Sequence, residues 1–181
     1  MPTSPSHAPG TVADAEPAAD DSLLAHVAAL RAEVAALRDR ADVAALCDRY
    51  VGYLDHGRDR DDWFGAVFTE DARLTFPFGA YEGFAGLAAF QSMARTTFER
   101  THHIGGTNEI VVDGDRARVR GVVLAVHLRR GDEPDSHFQI GGHFRAEAVR
   151  TPAGWRLSGF FFDLVWRAGE PPRPKDTAAT G

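Results

Sequence analysis

Three stretches decide the fold: RARVRGVVLAVHL at residues 116–128, HFQIGGHFRAEAV at 137–149 and WRLSGFFFDLVW at 155–166. Each carries period-two alternation rich in Val, Phe and Trp, and turn-forming GDEPDS and TPAG separate them, so they read as consecutive antiparallel strands joined by hairpins. Working back toward the amino terminus, NEIVV (108–112) followed by DGD adds a shorter strand, and THHIGGT (101–107) another. Upstream of residue 101 the period changes. The spacing predicts a strand over Ala72 to Phe78 between a short helix, Asp61 to Val67, and a longer one, Gly83 to Arg100. Earlier still, Val43, Leu46, Tyr50 and Tyr53 or Leu54 form a broad apolar helix face ending near Gly57, wide enough to pack on a sheet. Helices at the start and strands at the end define an α+β layer: helices covering one face of a curved antiparallel sheet.

Leu23, Val27, Leu30, Val34, Leu37 and Ala41 recur in steps of four and three, the stripe of a coiled-coil heptad. That stripe predicts a helical extension that wants a partner, and with Phe161 on the outer sheet face it predicts a homo-oligomer, a dimer first. Residues 1–20 and the stretch from Gly169 are rich in Pro, Ala and Asp and read as disordered tails. A net charge of -6 over 181 residues argues against nucleic acid, whose binders carry basic patches. The single cysteine, Cys47, can form no internal disulfide, and the first residues lack the basic start and apolar run of a secretory signal. No apolar run approaches the ~20 residues that cross a bilayer. The expectation is a cytoplasmic protein with no membrane contact.

Asp55 stands at the end of the long helix, one turn beyond Tyr50, where its side chain turns toward the sheet; the bland alternative is a solvated helix-end aspartate in the acidic loop that follows. His102 and His103 are neighbours on a strand, so alternation sends them to opposite faces and they cannot chelate one ion. With no HxH or HExxH spacing, no metal is expected. Gly105–Gly106 and Gly141–Gly142 bridge no strand to a helix, so they are not phosphate loops; they suit sheet bending. Phe160, Phe162 and Leu164 share one face of the last strand and could line a cavity beneath the helices. No nicotinamide or flavin fingerprint is present, which predicts chemistry without a cofactor.

Taken together, His102, His103, Ile104, Gly105, Gly106 and Thr107, and the closing strand Trp155, Arg156, Leu157, Ser158 and Gly159 leading to Asp163, Leu164 and Trp166, resemble scytalone dehydratase and its SnoaL-like relatives in the nuclear transport factor 2-like superfamily. Tyr50 and Asp55, five apart, resemble the tyrosine and aspartate of the related bile-acid dehydratases. The resemblance spans about Ala41 to Arg167 and implies a cone-shaped sheet covered by helices. The chain then divides into a tail (1–20), a helical extension (21–41), a SnoaL-like domain (42–168) and a second tail (169–181). It implies Asp55 as the helix-end catalytic aspartate, His102 as the strand histidine facing it inside the cone with His103 outward, and Tyr50 as a donor to a developing oxyanion. Gly142, Phe144, Phe160, Phe162 and Leu164 match pocket positions. Val123 falls near the second catalytic histidine of scytalone dehydratase and Phe76 near a water-holding tyrosine, while His127 shares the strand face of Val123.

An imidazole with an ordinary pKa of ~6.5 takes and returns protons, and a carboxylate fixes its tautomer. The pair suits elimination of water, double-bond shift or ring closure. The expected function is therefore a cofactor-independent dehydratase, isomerase or cyclase acting on a small hydrophobic, polycyclic substrate of polyketide or terpenoid character. The alternatives on the same fold are a non-catalytic ligand-binding module and an assembly subunit.

Overall fold

A computed structural model describes residues 17–57, 59–129 and 136–170, with side chains from residue 21 onward. Helix α1 runs Pro17–His56 and divides between two units, residues up to Leu37 and residues from Arg38. In the first unit Leu23, Leu30, Val34 and Leu37 are all exposed. The tail read at 1–20 is thus helical from Pro17; the rest of it, and residues 171–181 of the second tail, lie outside the described residues.

The second unit holds the remaining elements: α2 (Phe64–Val67), β1 (Phe68–Phe76), β2 (Gly79–Glu82), α3 (Gly83–Thr97), β3 (Arg100–Gly105), β4 (Glu109–Asp113), β5 (Arg116–Leu128), β6 (His137–Thr151) and β7 (Gly154–Ala168). They form an α+β fold with one curved sheet of strand order β2-β1-β7-β6-β5-β3, β4 pairing with β5 beside β3. The long β5–β6–β7 meander follows the expected hairpins. Two features differ from expectation. Strand β1 pairs parallel to β7, not antiparallel, and the segment after Pro77 returns as a separate strand, β2, paired with β1 from Arg73↔Glu82 to Phe76↔Gly79.

The burial of α1 follows its sequence spacing. Val43, Leu46, Cys47 and Tyr50 are buried, and their i, i+3, i+4, i+7 spacing is the apolar face that lies on the sheet. The same core takes in small side chains of β5 and β6, Ala117, Ala146 and Ala148. One end of this packing is fixed by charge. Arg150 grips Asp39 with two parallel bonds of 2.9 and 2.7 Å, the indole N–H of Trp155 donates to the same carboxylate, and Arg40 donates to the Ile110 carbonyl.

The curvature is built from irregular pairing. Between β6 and β7 the register shifts at Gly141/Gly142 and at Glu147/Ala148. The second shift lets both Leu157 and Phe160 face inward, although their odd spacing of three positions would put them on opposite faces of a regular strand. At the first, backbone and ring crowd so closely that a Cβ on Gly142 would lie 2.2 Å from the Asp163 carbonyl oxygen and 2.8 Å from the Phe162 ring. Only glycine fits there. The expected bending role of this glycine pair is what the structure shows, whereas Gly142 as a pocket residue is corrected: the Phe162 ring lies over it, and it is not part of the cavity wall.

Candidate active site

Beneath α1 and α3 the sheet encloses a cavity of about 1090 Å³. Its walls carry stacked aromatic rings: Phe76 lies on Phe90 with ring centres 4.8 Å apart, and Phe144 on Phe160 at 5.3 Å. Of the residues expected at the pocket, Tyr50, Phe76, Val123, His127, Phe144, Phe160, Phe162 and Leu164 all line it.

The histidine facing Asp55 is His103. In the β3–β5 ladder Thr101 pairs with His127 and His103 with Ala125, so the odd-numbered residues of β3 point inward with the cavity face of β5. Asp55 Oδ1 accepts from His103 Nδ1 at 2.7 Å and from the Thr101 hydroxyl at 2.9 Å; Oδ2 accepts from the His103 backbone N–H at 2.7 Å. The expectation that His102 faces Asp55 inside the cone is corrected. Its ring is 73% exposed against 12% for His103, and its Nδ1 stays 3.9 Å from the carboxylate. The alternation argument holds, but its phase is the reverse of the one the resemblance implies.

These contacts fix protonation. Burial pushes the Asp55 carboxyl up, but the His103 ring and backbone donors, the charge an imidazolium there would carry and the Thr101 hydroxyl outweigh it and hold the group below its ordinary value. A carboxylate only accepts, so His103 carries its proton on Nδ1 and leaves the Nε2 lone pair free. Asp55 does not line the cavity; it stands behind the imidazole that does.

His127 sits beside this pair, its ring 5.5 Å from that of His103 and nearly perpendicular to it. Its Nδ1 lies 3.2 Å from the Phe138 carbonyl oxygen, which can only accept, so here too Nε2 holds the lone pair. Desolvation foremost, and then repulsion from His103, push His127 down to about 4, against smaller opposing effects of the Phe138 carbonyl and Asp55. The unfolded chain binds this proton near pH 6.5, so between pH 6.5 and about 4 it holds more protons than the folded chain. Stability is therefore full above about pH 6.5 and falls by roughly 2–3 kcal/mol on acidification toward pH 4. Asp55, ionised to below its ordinary 3.8, adds its own loss only at still lower pH. Urea midpoints at pH 7.5, 5.5 and 4.5 should show this slope in the wild type and a flatter one in His127→Gln; equal slopes would refute the assignment.

Tyr50 is held edge-on against Phe68 and Phe160, each ring centre 5.1 Å away, and its buried hydroxyl has no protein partner. Burial raises its pKa, so the phenol keeps its proton. Cys47, also on the wall, is pushed up to about 12 by burial and by Asp48, and stays a thiol rather than a nucleophilic thiolate. Among the wall residues that the sequence did not point to are His103, expected on the opposite face, and Gln91 of α3, which carries no motif. For Gln91 the helical spacing held the signal, because it follows the buried Leu87 by one turn. Among the described residues no three His, Cys, Asp or Glu side chains converge as a metal site, and no helix is long and apolar enough to cross a membrane.

The fold and this site define a helix-covered curved sheet with an aspartate-backed histidine facing an apolar cavity. The SnoaL-like domain family matches residues 35–160, and the chain belongs to that family. Among solved structures it is similar to the Kfla4162 protein of Kribbella flavida, with 26% identity and a TM-score of 0.66 over 74% of this chain and 95% of that one. It is also similar to a candidate scytalone dehydratase of Novosphingobium aromaticivorans (21%, TM-score 0.66, 76% and 91%). A third such structure is the hexachlorocyclohexane dehydrochlorinase LinA-type3 of Novosphingobium barchaimii (18%, TM-score 0.66, 76% and 94%). Comparison with curated proteins gives no match.

Proposed function

We propose that the protein is a cofactor-independent acid/base enzyme, a dehydratase first and an isomerase or cyclase by the same chemistry, acting on a small hydrophobic, polycyclic molecule of polyketide or terpenoid character. The observation that carries this reading is the Asp55–His103 pair, whose free Nε2 belongs to a residue of the apolar cavity wall. In an elimination, His103 Nε2 takes the proton beside a substrate carbonyl, and the electron pair left on carbon becomes the new double bond as the C–O bond to the leaving hydroxyl breaks. The imidazolium then returns its proton to that hydroxyl, which departs as water. Asp55 stabilises the imidazolium, and the Tyr50 hydroxyl donates to the enolate oxygen. Two of the structural neighbours are named for eliminations, a dehydratase and a dehydrochlorinase, which agrees with this chemistry.

The test is a panel of fused-ring β-hydroxyketones, with enone formation followed by ultraviolet absorbance. Turnover that saturates with substrate is expected. Binding without turnover across the panel would sink the catalytic reading and leave a ligand-holding protein.

The exposed stripe Leu23, Leu30, Val34 and Leu37 supports a homodimer formed through this helix, since an apolar heptad face is stabilised by a second one. Sedimentation equilibrium at micromolar concentration should give a dimer, and Leu30→Glu should weaken it. A monomer in the unmodified chain would overturn the assignment.

A further inference from the structure

Helix α3 places one amide in an apolar wall. Gln91 is 1% exposed, belongs to the cavity wall, and its Nε2, buried from solvent, has no hydrogen-bond partner. One turn earlier the same helix face carries Leu87, equally buried. A leucine or methionine at 91 would continue that face without the desolvation cost of an unpaired amide, and buried polar groups left unpaired in a native fold call for an explanation. The amino group of glutamine has two N–H donors and no acceptor function, so what completes it is an oxygen with lone pairs. The cavity holds a second group of the same kind, the unpartnered Tyr50 hydroxyl.

We propose that Gln91 is a positioning residue for substrate: when a ligand fills the cavity the side chain turns its buried Nε2 toward it, donates to a carbonyl or hydroxyl oxygen on the ring system and sets which carbon is presented to His103. The inference rests on the reading of the cavity as a ring-binding site, and it adds that the ligand carries an oxygen on the α3 side. A pure hydrocarbon ring is the wrong ligand, because it would leave the amide buried and unpaired.

The experiment uses two probes of nearly equal shape, 1-tetralone and tetralin, which differ in one carbonyl oxygen. In the full-length protein labelled with ¹⁵N-glutamine, the Gln91 side-chain resonance is identified by its loss in Gln91→Met. Tetralone should move this resonance and tetralin should not, and tetralone should bind about fivefold to tenfold tighter. Gln91→Met should abolish that preference by weakening the ketone alone, and its urea midpoint should not fall, since an unpaired amide has been removed; Gln91→Leu gives a second apolar variant. A preference that survives in both variants, a Gln91 resonance unmoved by the ketone, or a failure of both probes to bind up to their solubility would overturn the proposal. The acid/base reading fails separately. If the wild type turns over none of the β-hydroxyketones yet keeps the ketone preference, the chemistry assigned to His103 is wrong and the role of Gln91 stands.

Discussion

Replacing His103 with Ala is expected to lower turnover of a β-hydroxyketone by ~10²–10⁴-fold, while His102→Ala stays within about twofold of the wild type. The two residues are adjacent and of the same type, so the two substitutions remove the same side chain from opposite faces of β3. His103 presents Nε2 at the cavity with Nδ1 tied to Asp55 at 2.7 Å; His102 is 73% exposed on the opposite face. Asp55→Asn should cost a loss of the same order, because an amide can turn its nitrogen toward Nδ1 and stabilise the wrong tautomer, and because the imidazolium loses its counter-charge. Nitrogen shifts of the ring atoms give a second readout. The Nδ1–H tautomer of His103 should dominate in the wild type and lose that dominance in Asp55→Asn. Equal effects of the two histidine substitutions would mean that neither acts as the base.

The largest expected stability effect is at Phe68, at the start of β1. It is 1% exposed and meets Tyr50 edge-on at 5.1 Å and Trp63 at 6.3 Å, both themselves buried. Phe68→Ala removes a full aromatic ring and leaves a void whose walls are other rigid rings, so little collapse can relieve it. A loss of about 3–5 kcal/mol follows from the transfer and cavity terms together. Phe68→Leu fills most of the space and should cost clearly less. Urea unfolding followed by Trp fluorescence measures both, and a Phe68→Ala loss below about 1 kcal/mol would show that the aromatic cluster is not the packing centre assigned to it.

The parts of the fold that could be read in the sequence are those governed by local periodicity. The alternation in 116–128, 137–149 and 155–166 specifies strands β5 to β7 and puts Phe160, Phe162 and Leu164 on one face, where they are found. The spacing of Val43, Leu46 and Tyr50 likewise yields the buried face of α1. Pairing between distant segments has no such local signature. Strand β1 runs parallel to β7 because a crossover brings it there, and the four residues of β2 follow Pro77 too closely to read as anything but turn. The histidines show the same limit more sharply. Period two says that His102 and His103 face opposite ways, but not which way; that phase is set by Thr101 and His103 pairing opposite His127 and Ala125. Ile104, which shares its face with His102, would by hydropathy turn inward, yet it is 52% exposed. For Gln91 the spacing from Leu87 marks a buried position, but it does not say that the amide there goes unpaired.

The carboxylate of Asp55 does one thing more than orient an imidazole. Strand β3 ends the sheet order, and the backbone N–H of His103 points away from β5 to donate to Asp55 Oδ2. A free N–H on an edge strand is a template for pairing with another chain, and natural sheets blunt such edges with charge or cover. Asp55 supplies both at the residue whose ring it positions. The orientation of the His103 ring and the protection of this edge against strand-to-strand aggregation thus share one side chain, so a homologous protein with no histidine to orient would still have reason to keep the aspartate.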